Sequence, residues 1–345
     1  SSKELRECYR QGAERFGWNN RNLEPRSMRR GRSLVGWGMA TGIWEANQMP
    51  ARAEASLGVN GRLLVQSASA DIGTGTYTIM TQIAADTLGL PVEHVTFRLG
   101  DTDLPVAPIE GGSWTAATVG SAVKLACEEV GRTLFRLARR QPGSPFAKMK
   151  FEDVFFAEGQ MRLKTAPSAA VPLVDLVRLN GGRAVRETAS SIPNLIQHKK
   201  YSRNVHSAVF AEVEVDEDFR TVVVKRVVTA IAGGKVLNPK TARSQILGGV
   251  VWGISKSIHE ESVMDHRFGR FMNHNLAEYH LPVCADVHDI DVIFVEEHDP
   301  IVNPLGVKGL GEIGIVGVPA AVANAVFHAT GKRVRDLPIT LDKLL

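Results

Sequence analysis

The sequence has few cysteines, and their positions exclude several kinds of site. Only three occur in 345 residues, Cys8, Cys127 and Cys284, and no two of them form a Cys-x-x-Cys pair. The chain alone therefore provides no iron–sulfur cluster, zinc ribbon or disulfide scaffold. The ten histidines form no His-x-x-x-His or His-Glu-x-x-His pattern, so we predict no metal held directly by the protein.

The excess of positive charge is also small. Lys and Arg total 41 and Asp and Glu total 37, and no basic stripe alternates with aromatic residues. We therefore expect no nucleic-acid partner. The uncharged stretch 313–330 contains Pro319 and Asn324, which favour a buried helix over a membrane span. The composition, 44% hydrophobic and 23% charged, is typical of a globular protein. The length of 345 residues predicts about two domains.

The hydropathy pattern occurs twice along the chain. Period-two and helical spacings predict the same four elements in each copy, namely a β-hairpin (53–70 and 208–230), a helix (76–88 and 239–259), a strand (95–99 and 291–295) and a second helix (118–137 and 318–329). Hairpins mixed with helices favour an α+β fold with duplicated hairpin–helix–strand–helix lobes over a doubly wound sheet.

This repeat predicts four parts of the chain. Residues 1–35 form an amino-terminal helix and a solvated Arg-rich linker, and 36–145 form the first α+β lobe. Residues 146–205 are an irregular connection, and 206–345 form the second lobe.

A glycine-rich loop precedes each of the four predicted helices of the repeat, at 71–76, 111–115, 233–241 and 306–312. Free backbone N–H groups and the positive end of a helix dipole attract anions, and glycine lets an anion approach closely. A tight turn is the alternative for any single loop, and Asn238-Pro239 also matches a helix cap followed by proline. Together the loops predict a large ligand with several phosphates. None matches Walker A or a strict Gly-x-Gly-x-x-Gly fingerprint.

Glu312 is the candidate catalytic residue, because it stands between Gly311 and the small-residue run 313–318. A carboxylate among glycines and apolar neighbours is suited to act as a general base. The alternative is a surface carboxylate that stabilises a helix start by its charge. Gln245 lies one helical turn beyond Thr241 and either hydrogen-bonds the ligand of that loop or packs.

Several motifs together point to one family. Lys308-Gly-Leu-Gly-Glu312 resembles a signature of the xanthine dehydrogenase and aldehyde oxidase family, in its molybdenum-binding subunit. The resemblance covers the whole chain through further motifs at 81–85, 88–91, 100–102, 210–216, 238–245 and 275–279. The run at 329–340 is most similar to the bacterial branch, which includes aldehyde oxidoreductases and isoquinoline 1-oxidoreductases.

The resemblance implies the molybdenum cofactor-binding domain fold and a cofactor. That cofactor is molybdopterin in its cytosine dinucleotide form, whose pterin dithiolene holds the molybdenum. The family hydroxylates aldehydes or N-heteroaromatic compounds with oxygen from water. By the same resemblance, Glu312 is the general base on Mo–OH, and hydride passes to a Mo sulfide.

The resemblance also assigns the cofactor-binding residues. They are Gly73, Thr74, Gly75, Gly112, Ser113, Trp114, Lys235, Val236, Leu237, Asn238, Pro239, Lys240, Thr241, Gln245, Lys308, Gly309, Leu310 and Gly311. Many relatives have glutamine where this chain has Thr74, so a side chain of shorter reach replaces an amide.

The resemblance is to the second half of the molybdenum-binding subunit, so it implies partners. These are the amino-terminal half of that subunit, an iron–sulfur subunit and a FAD subunit. The expected location is the bacterial cytoplasm, or the periplasm if a partner carries an export signal. The alternative function is a catalytically silent, cofactor-free binding or assembly module of the same fold.

Overall fold

The computed structural model describes residues 1–345, with seven α-helices and fourteen strands. The helices are α1 (Leu5–Phe16), α2 (Thr76–Leu88), α3 (Thr115–Arg139), α4 (Leu173–Arg178), α5 (Leu195–Lys200), α6 (Pro239–Ile258) and α7 (Val318–Thr330). The strands are β1 (Met28–Arg30), β2 (Ser33–Glu45), β3 (Ala51–Leu57), β4 (Leu63–Gln66), β5 (Val95–Arg98), β6 (Val154–Ala157), β7 (Gln160–Leu163), β8 (Ala170–Pro172), β9 (Val185–Ser191), β10 (Asn204–Asp216), β11 (Val222–Ala232), β12 (Met264–Asp265), β13 (Arg270–Phe271) and β14 (Asp289–Phe294).

The chain divides into two compact units, each built from separate segments. Residues 1–46, 203–299 and 308–345 form the first, which we call the five-stranded unit. Residues 47–202 and 300–307 form the second, the four-stranded unit.

The five-stranded unit has the strand order β1-β2-β10-β11-β14. Strand β10 is antiparallel to β2 and β11, whereas β14 is parallel to β11. Successive side chains of β10 enter opposite cores, as strand geometry requires. Val209 and Ala211 join the core that includes residues of α6 and α7, and Phe210 joins the core that includes residues of α1.

The four-stranded unit has the order β5-β4-β3-β9, with β3 antiparallel to both neighbours and β4 parallel to β5. Helix α3 packs on β3 and β9, and α2 packs on α3. Each unit therefore contains a hairpin, a helix, a strand parallel to the second hairpin strand and a final helix, with an extra antiparallel strand beside the first hairpin strand. The predicted α+β fold with duplicated lobes is confirmed.

The predicted solvated Arg-rich linker is wrong in part. Residues Met28–Arg30 form β1, which pairs with β2. Arg29 binds Glu217 at 2.7 Å, and Arg30 binds the buried Glu212 at 3.1 Å. Carboxylates on β10 and the turn after it therefore hold the arginines against the sheet edge.

The connection predicted as irregular, 146–205, is also largely ordered. It contains the three-stranded sheet β6-β7-β8, helix α4 and β9, which pairs with β3 along its whole length. Strands β6, β7 and β8 have only three or four residues each, which is too short to show a clear period in the sequence.

Strand β2 was not predicted, because it is rich in glycine. Those glycines face α7: a Cβ on Gly36 would lie 1.9 Å from the carbonyl oxygen of Ala325, and one on Gly38 would lie 2.2 Å from that of Ala321. Glycine is disfavoured in strands in general, but here it allows a helix to lie directly on the backbone of the sheet.

One stretch, Glu312–Thr330, is long and apolar enough to cross a membrane by composition, and 56% of its most apolar window is buried within the fold. Its helix α7 packs on β2 and β10. Val322, Ala325 and Ala329 are fully buried there, as expected for a core helix.

Candidate functional site

In the four-stranded unit, the first glycine loop is closed around an internal carboxylate. Asp71 accepts hydrogen bonds from the backbone N–H groups of Gly73 (3.0 Å), Gly75 (3.2 Å) and Tyr77 (3.2 Å). Gly73 and Gly75 have φ of 96° and 82°, values that favour glycine. Asp71 is thus bound to backbone N–H groups of the loop that the sequence analysis predicted to bind an anion.

The second loop of this unit turns sharply before α3. Gly112 and Ser113 both have positive φ, 51° and 57°. The Trp114 indole folds back over the turn, so a Cβ on Gly112 would lie 2.7 Å from its ring. The indole N–H donates to the carbonyl oxygen of Ile109 at 2.9 Å. The aromatic side chain therefore fixes the turn.

Glu110 joins the two loops. One oxygen, Oε1, accepts a hydrogen bond from the hydroxyl of Ser69 at 2.9 Å and another from the backbone N–H of Ala70 at 2.5 Å. An open cavity of about 300 Å³ lies beside this bridge, lined in part by the Gly100-Asp-Thr102 motif. The predicted segments 73–75 and 112–114 are therefore linked within one unit.

In the five-stranded unit, the loop before α6 ends in a helix cap. Asn238 Oδ1 accepts hydrogen bonds from the backbone N–H groups of Lys240 (3.0 Å) and Thr241 (3.1 Å), and Pro239 opens the first turn. The cap predicted as the simple alternative is confirmed. Lys235 and Lys240 have exposed side chains, whereas Gln245 is half-buried.

Glu312 begins a short 3-10 turn, Glu312–Gly314, and is half-buried. Its carbonyl accepts a hydrogen bond from the N–H of Ile315 at 3.1 Å. The turn lies against α6 without intervening side chains, since a Cβ on Gly249 would lie 2.8 Å from the Gly314 backbone. Helix α6 therefore sets the position of the turn that carries Glu312.

Lys308 differs from the other predicted cations, because its ammonium is buried. Lys308 Nζ lies 2.9 Å from Glu297 Oε1, 3.3 Å from Asp299 Oδ2 and 3.0 Å from the carbonyl oxygen of Ser2. Its backbone N–H donates to the carbonyl of Gly233 at 3.2 Å. The predicted segments 235–241 and 308–312 thus belong to neighbouring loops of one unit, but the Lys308 side chain is already bound by carboxylates.

Sequence reasoning missed the acidic residues that organise these loops. Asp71 had a local signal, because an Asp two residues before a glycine commonly bonds the following backbone. Glu297 and Asp299 had none, since only the tertiary fold brings them to Lys308.

The residues present fit an anionic, phosphate-bearing cofactor in part. The exposed ammonium groups of Lys235 and Lys240 stand at the positive end of α6, which suits a phosphate. The Lys308 ammonium does not fit direct contact with a phosphate, because two buried carboxylates occupy it.

Comparison with known families gives one matching model, the molybdopterin cofactor-binding domain, over residues 11–288. The aldehyde oxidoreductase molybdenum-binding subunit PaoC of Escherichia coli K12 is 40% identical over 345 residues, which is all of this chain and 45% of that protein. The xanthine dehydrogenase molybdenum-binding subunit of Escherichia coli O157:H7 is 28% identical over 353 residues, with 99% of this chain and 45% of that protein covered. The chain thus spans less than half the length of these relatives.

Solved structures show the same fold. Quinoline 2-oxidoreductase from Pseudomonas putida 86 superimposes with a TM-score of 0.81 at 22% identity, over 98% of this chain and 43% of that one. The family model, which matches more than half of the chain, establishes the family. The chain belongs to the molybdopterin cofactor-binding domain family, within the xanthine dehydrogenase and aldehyde oxidase group that its motifs predicted.

Proposed function

We propose that this chain is part of the molybdopterin-binding catalytic subunit of a molybdenum hydroxylase that oxidises aldehydes or N-heteroaromatic compounds. The observation that carries the proposal is the placement of Glu312. A half-buried carboxylate starts a turn that rests on α6 and follows the loop bound to Gly233. The similarity to an aldehyde oxidoreductase subunit supports aldehydes as one substrate class.

The cofactor in this proposal is molybdopterin in its cytosine dinucleotide form. When bound, it supplies the two-electron oxidation and the transfer of a water-derived oxygen. Lys235 and Lys240 would pair with its phosphates, and Gln245 would donate a side-chain hydrogen bond. Residues 73–75 and 112–114 would contact the cofactor through their backbone, which lies in turns of positive φ.

Glu312 accepts a proton in the proposed reaction. Its backbone begins a turn that packs on α6, so the fold sets the position from which its carboxylate acts as general base. Thr74 contributes a hydroxyl of short reach; its Oγ1 lies 3.1 Å from the hydroxyl of Thr76.

The proposed partners are the amino-terminal half of the same subunit, an iron–sulfur subunit and a FAD subunit. Cys8 and Cys127 are buried and Cys284 is exposed, so this chain offers no cluster-binding set of thiols for electron transfer. The bacterial relatives support a bacterial source, with the cytoplasm as the proposed compartment.

One observation favours the alternative, a cofactor-free assembly module. Asp71, Asn238 and the Glu297–Lys308 pair already bind amide or ammonium groups that a phosphate would otherwise use. Against it stand the exposed ammonium groups of Lys235 and Lys240 and the half-buried Glu312 on a turn packed against α6.

Metal and nucleotide analysis of the assembled enzyme purified from its native host separates the two functions. We expect molybdenum and released cytidine monophosphate in near-stoichiometric amounts. Their absence from the complete complex would overturn the enzyme proposal and support the assembly module.

Glu312→Gln tests the catalytic assignment, with Glu261→Gln as a matched exposed control in the same unit. We expect Glu312→Gln to abolish turnover with molybdenum content unchanged, and the control to retain both. Loss of molybdenum in Glu312→Gln would show that the residue is structural.

A further inference from the structure

A buried charge cluster lies beside the loop that carries Glu312. The side chains of Lys308, Glu297 and Asp299 are all 0% exposed. Ser2 completes the cluster: its N–H donates to Asp299 Oδ2 at 3.0 Å, and its hydroxyl donates to Glu297 Oε1 at 2.9 Å. Burial lowers the pKa of the Arg203 guanidinium, and Asp299 opposes that shift. The Lys308 ammonium is thus the cation that both buried acids share.

Each end of the Lys308–Glu297 pair is also bound to the loop before α6. Glu297 Oε2 accepts a hydrogen bond from the backbone N–H of Gly234 at 2.7 Å. The backbone N–H of Lys308 donates to the carbonyl of Gly233 at 3.2 Å. The pair therefore connects the loop before α6 to the Glu312 loop through side-chain and backbone bonds together.

Removing one member of such a cluster is costly. A charge left alone in a water-excluded interior loses both its partner and its hydration. The Lys308 ammonium therefore cannot turn toward a phosphate without leaving Glu297 and Asp299 unpaired. This excludes the simple use of Lys308 as a cation for the cofactor.

We propose that Lys308 is a positioning residue for Glu312, which acts by tying its loop through Glu297 to Gly233 and Gly234, and that it does not contact the cofactor. The role of Glu312 in this statement rests on the proposed function. The tie between the loops does not, and it is tested separately.

The experiment compares Lys308→Met, Glu297→Gln and the double variant in the assembled enzyme, with the exposed Lys256→Met as control. Hydrogen–deuterium exchange is followed at Gly234 and across 308–314, and molybdenum content and turnover are measured in parallel. We expect exchange in both loops to quicken about tenfold or more in each single variant, because both break the same charged hydrogen bonds. The double variant should be no worse than the singles, since the pair acts as a unit.

Turnover should fall in step with the exchange at 308–314, while molybdenum content changes equally in Lys308→Met and Glu297→Gln. If Lys308 binds the cofactor directly, Lys308→Met loses molybdenum, Glu297→Gln keeps it and the effects add, which overturns the proposal. Should Lys308→Met fail to fold, Glu297→Gln still decides, because unchanged exchange at Gly234 and 308–314 contradicts the tie. The exchange result stands even if the wild-type complex contains no molybdenum, so the two proposals fail independently.

Discussion

The two units use one arrangement with different chemistry. In the four-stranded unit, Glu110 from the loop before α3 accepts a hydrogen bond from the backbone N–H of Ala70 in the loop before α2. In the five-stranded unit, Glu297 from the loop before α7 accepts one from the backbone N–H of Gly234 in the loop before α6. Glu110 is half-buried and its further partner is a hydroxyl, whereas Glu297 is fully buried with Lys308. The duplicated fold thus preserves the link between loops, and burial decides whether that link needs a counter-charge.

The loop caps differ in a parallel way. Asp71 binds three backbone N–H groups and carries a charge, while Asn238 binds two and is neutral. The neutral cap leaves the positive charges of Lys235 and Lys240 uncompensated locally. The loop before α6 is therefore better suited to a phosphate than the loop before α2.

The largest expected effect concerns two glycines inside helices, one from each unit. A Cβ on Gly249 would meet the Gly314 backbone at 2.8 Å, whereas one on Gly120 would meet the flexible side-chain ends of Ile83 and Leu305 at 2.8 and 2.9 Å. We expect Gly249→Ala to cost about 1–3 kcal/mol, because a backbone contact cannot give way, and to lower turnover by moving Glu312. Gly120→Ala should be nearly neutral, since alanine gains about 1 kcal/mol in a helix. Chemical denaturation and initial rates measure both, and equal destabilisation would contradict the difference in neighbours.

The next effect is the acid sensitivity of the five-stranded unit. Nδ1 of the buried His328 accepts a hydrogen bond from the backbone N–H of Trp37 at 2.9 Å, and its Nε2 lies 2.7 Å from the carbonyl oxygen of Asn22. This arrangement fits the neutral ring. Burial, with Arg21 nearby, lowers its pKa, and burial also lowers the pKa of His206. The stability that these two neutral histidines contribute to the folded state is complete above about pH 6.5. It is lost as the pH falls toward their depressed pKa values, because the unfolded chain binds the proton first.

Hydrogen exchange at pH 7 and pH 5 measures this loss. We expect α7 and β2 to lose protection at pH 5, after correction for intrinsic rates, while the four-stranded unit changes less. His328→Gln should flatten the dependence at a cost of about 1–3 kcal/mol, since an amide does not reproduce the geometry with which the imidazole binds both the backbone N–H of Trp37 and the carbonyl of Asn22. An equal loss of protection in both units would contradict the assignment.

The third effect compares the two caps. We expect Asp71→Ala to cost about 1–2 kcal/mol and Asn238→Ala about 0.5–1 kcal/mol, because the first removes more hydrogen bonds. Exchange at the Tyr77 and Thr241 amides reports each loop separately. If Asn238→Ala cost more than Asp71→Ala, the negative charge of Asp71 would not strengthen the hydrogen bonds of its loop.

The smallest effect belongs to the half-buried bridge. Glu110→Gln keeps an acceptor oxygen, so we expect a change below about 0.5 kcal/mol, while Glu110→Ala should cost about 1 kcal/mol. The Ala70 amide should exchange faster only in the alanine variant. A large effect of Glu110→Gln would mean that its charge matters as much as that of Glu297.

The repeated elements were predictable because their periods are clear. Helix α2 occupies the predicted 76–88, and α6 starts at Pro239 as expected, since Asn238 followed by proline is a local signal. Strand β2 was not predictable, because its three glycines are explained only by α7 and the segment before it, which pack on the strand. Local propensity cannot report a partner from the other end of the sequence.

The loops of the candidate site, but not their side-chain contacts, followed from the sequence. The motif at 308–312 located the loop that contains Glu312, and the loop at 233–241 proved to be its neighbour. The ion pairs of Lys308 could not be inferred, because a cation in a glycine loop looks available until its burial is known. Two acids nine and eleven residues earlier, Asp299 and Glu297, bind it only in the folded chain.

The glycines of β2 have a consequence for engineering. At Gly36, Gly38 and Gly42, any added side-chain carbon would collide with α7 or the segment before it, at 1.9, 2.2 and 2.7 Å from carbonyl oxygens. Alanine, the mildest substitution elsewhere, is therefore forbidden at these three positions. A redesign for greater stability should leave these three glycines unchanged.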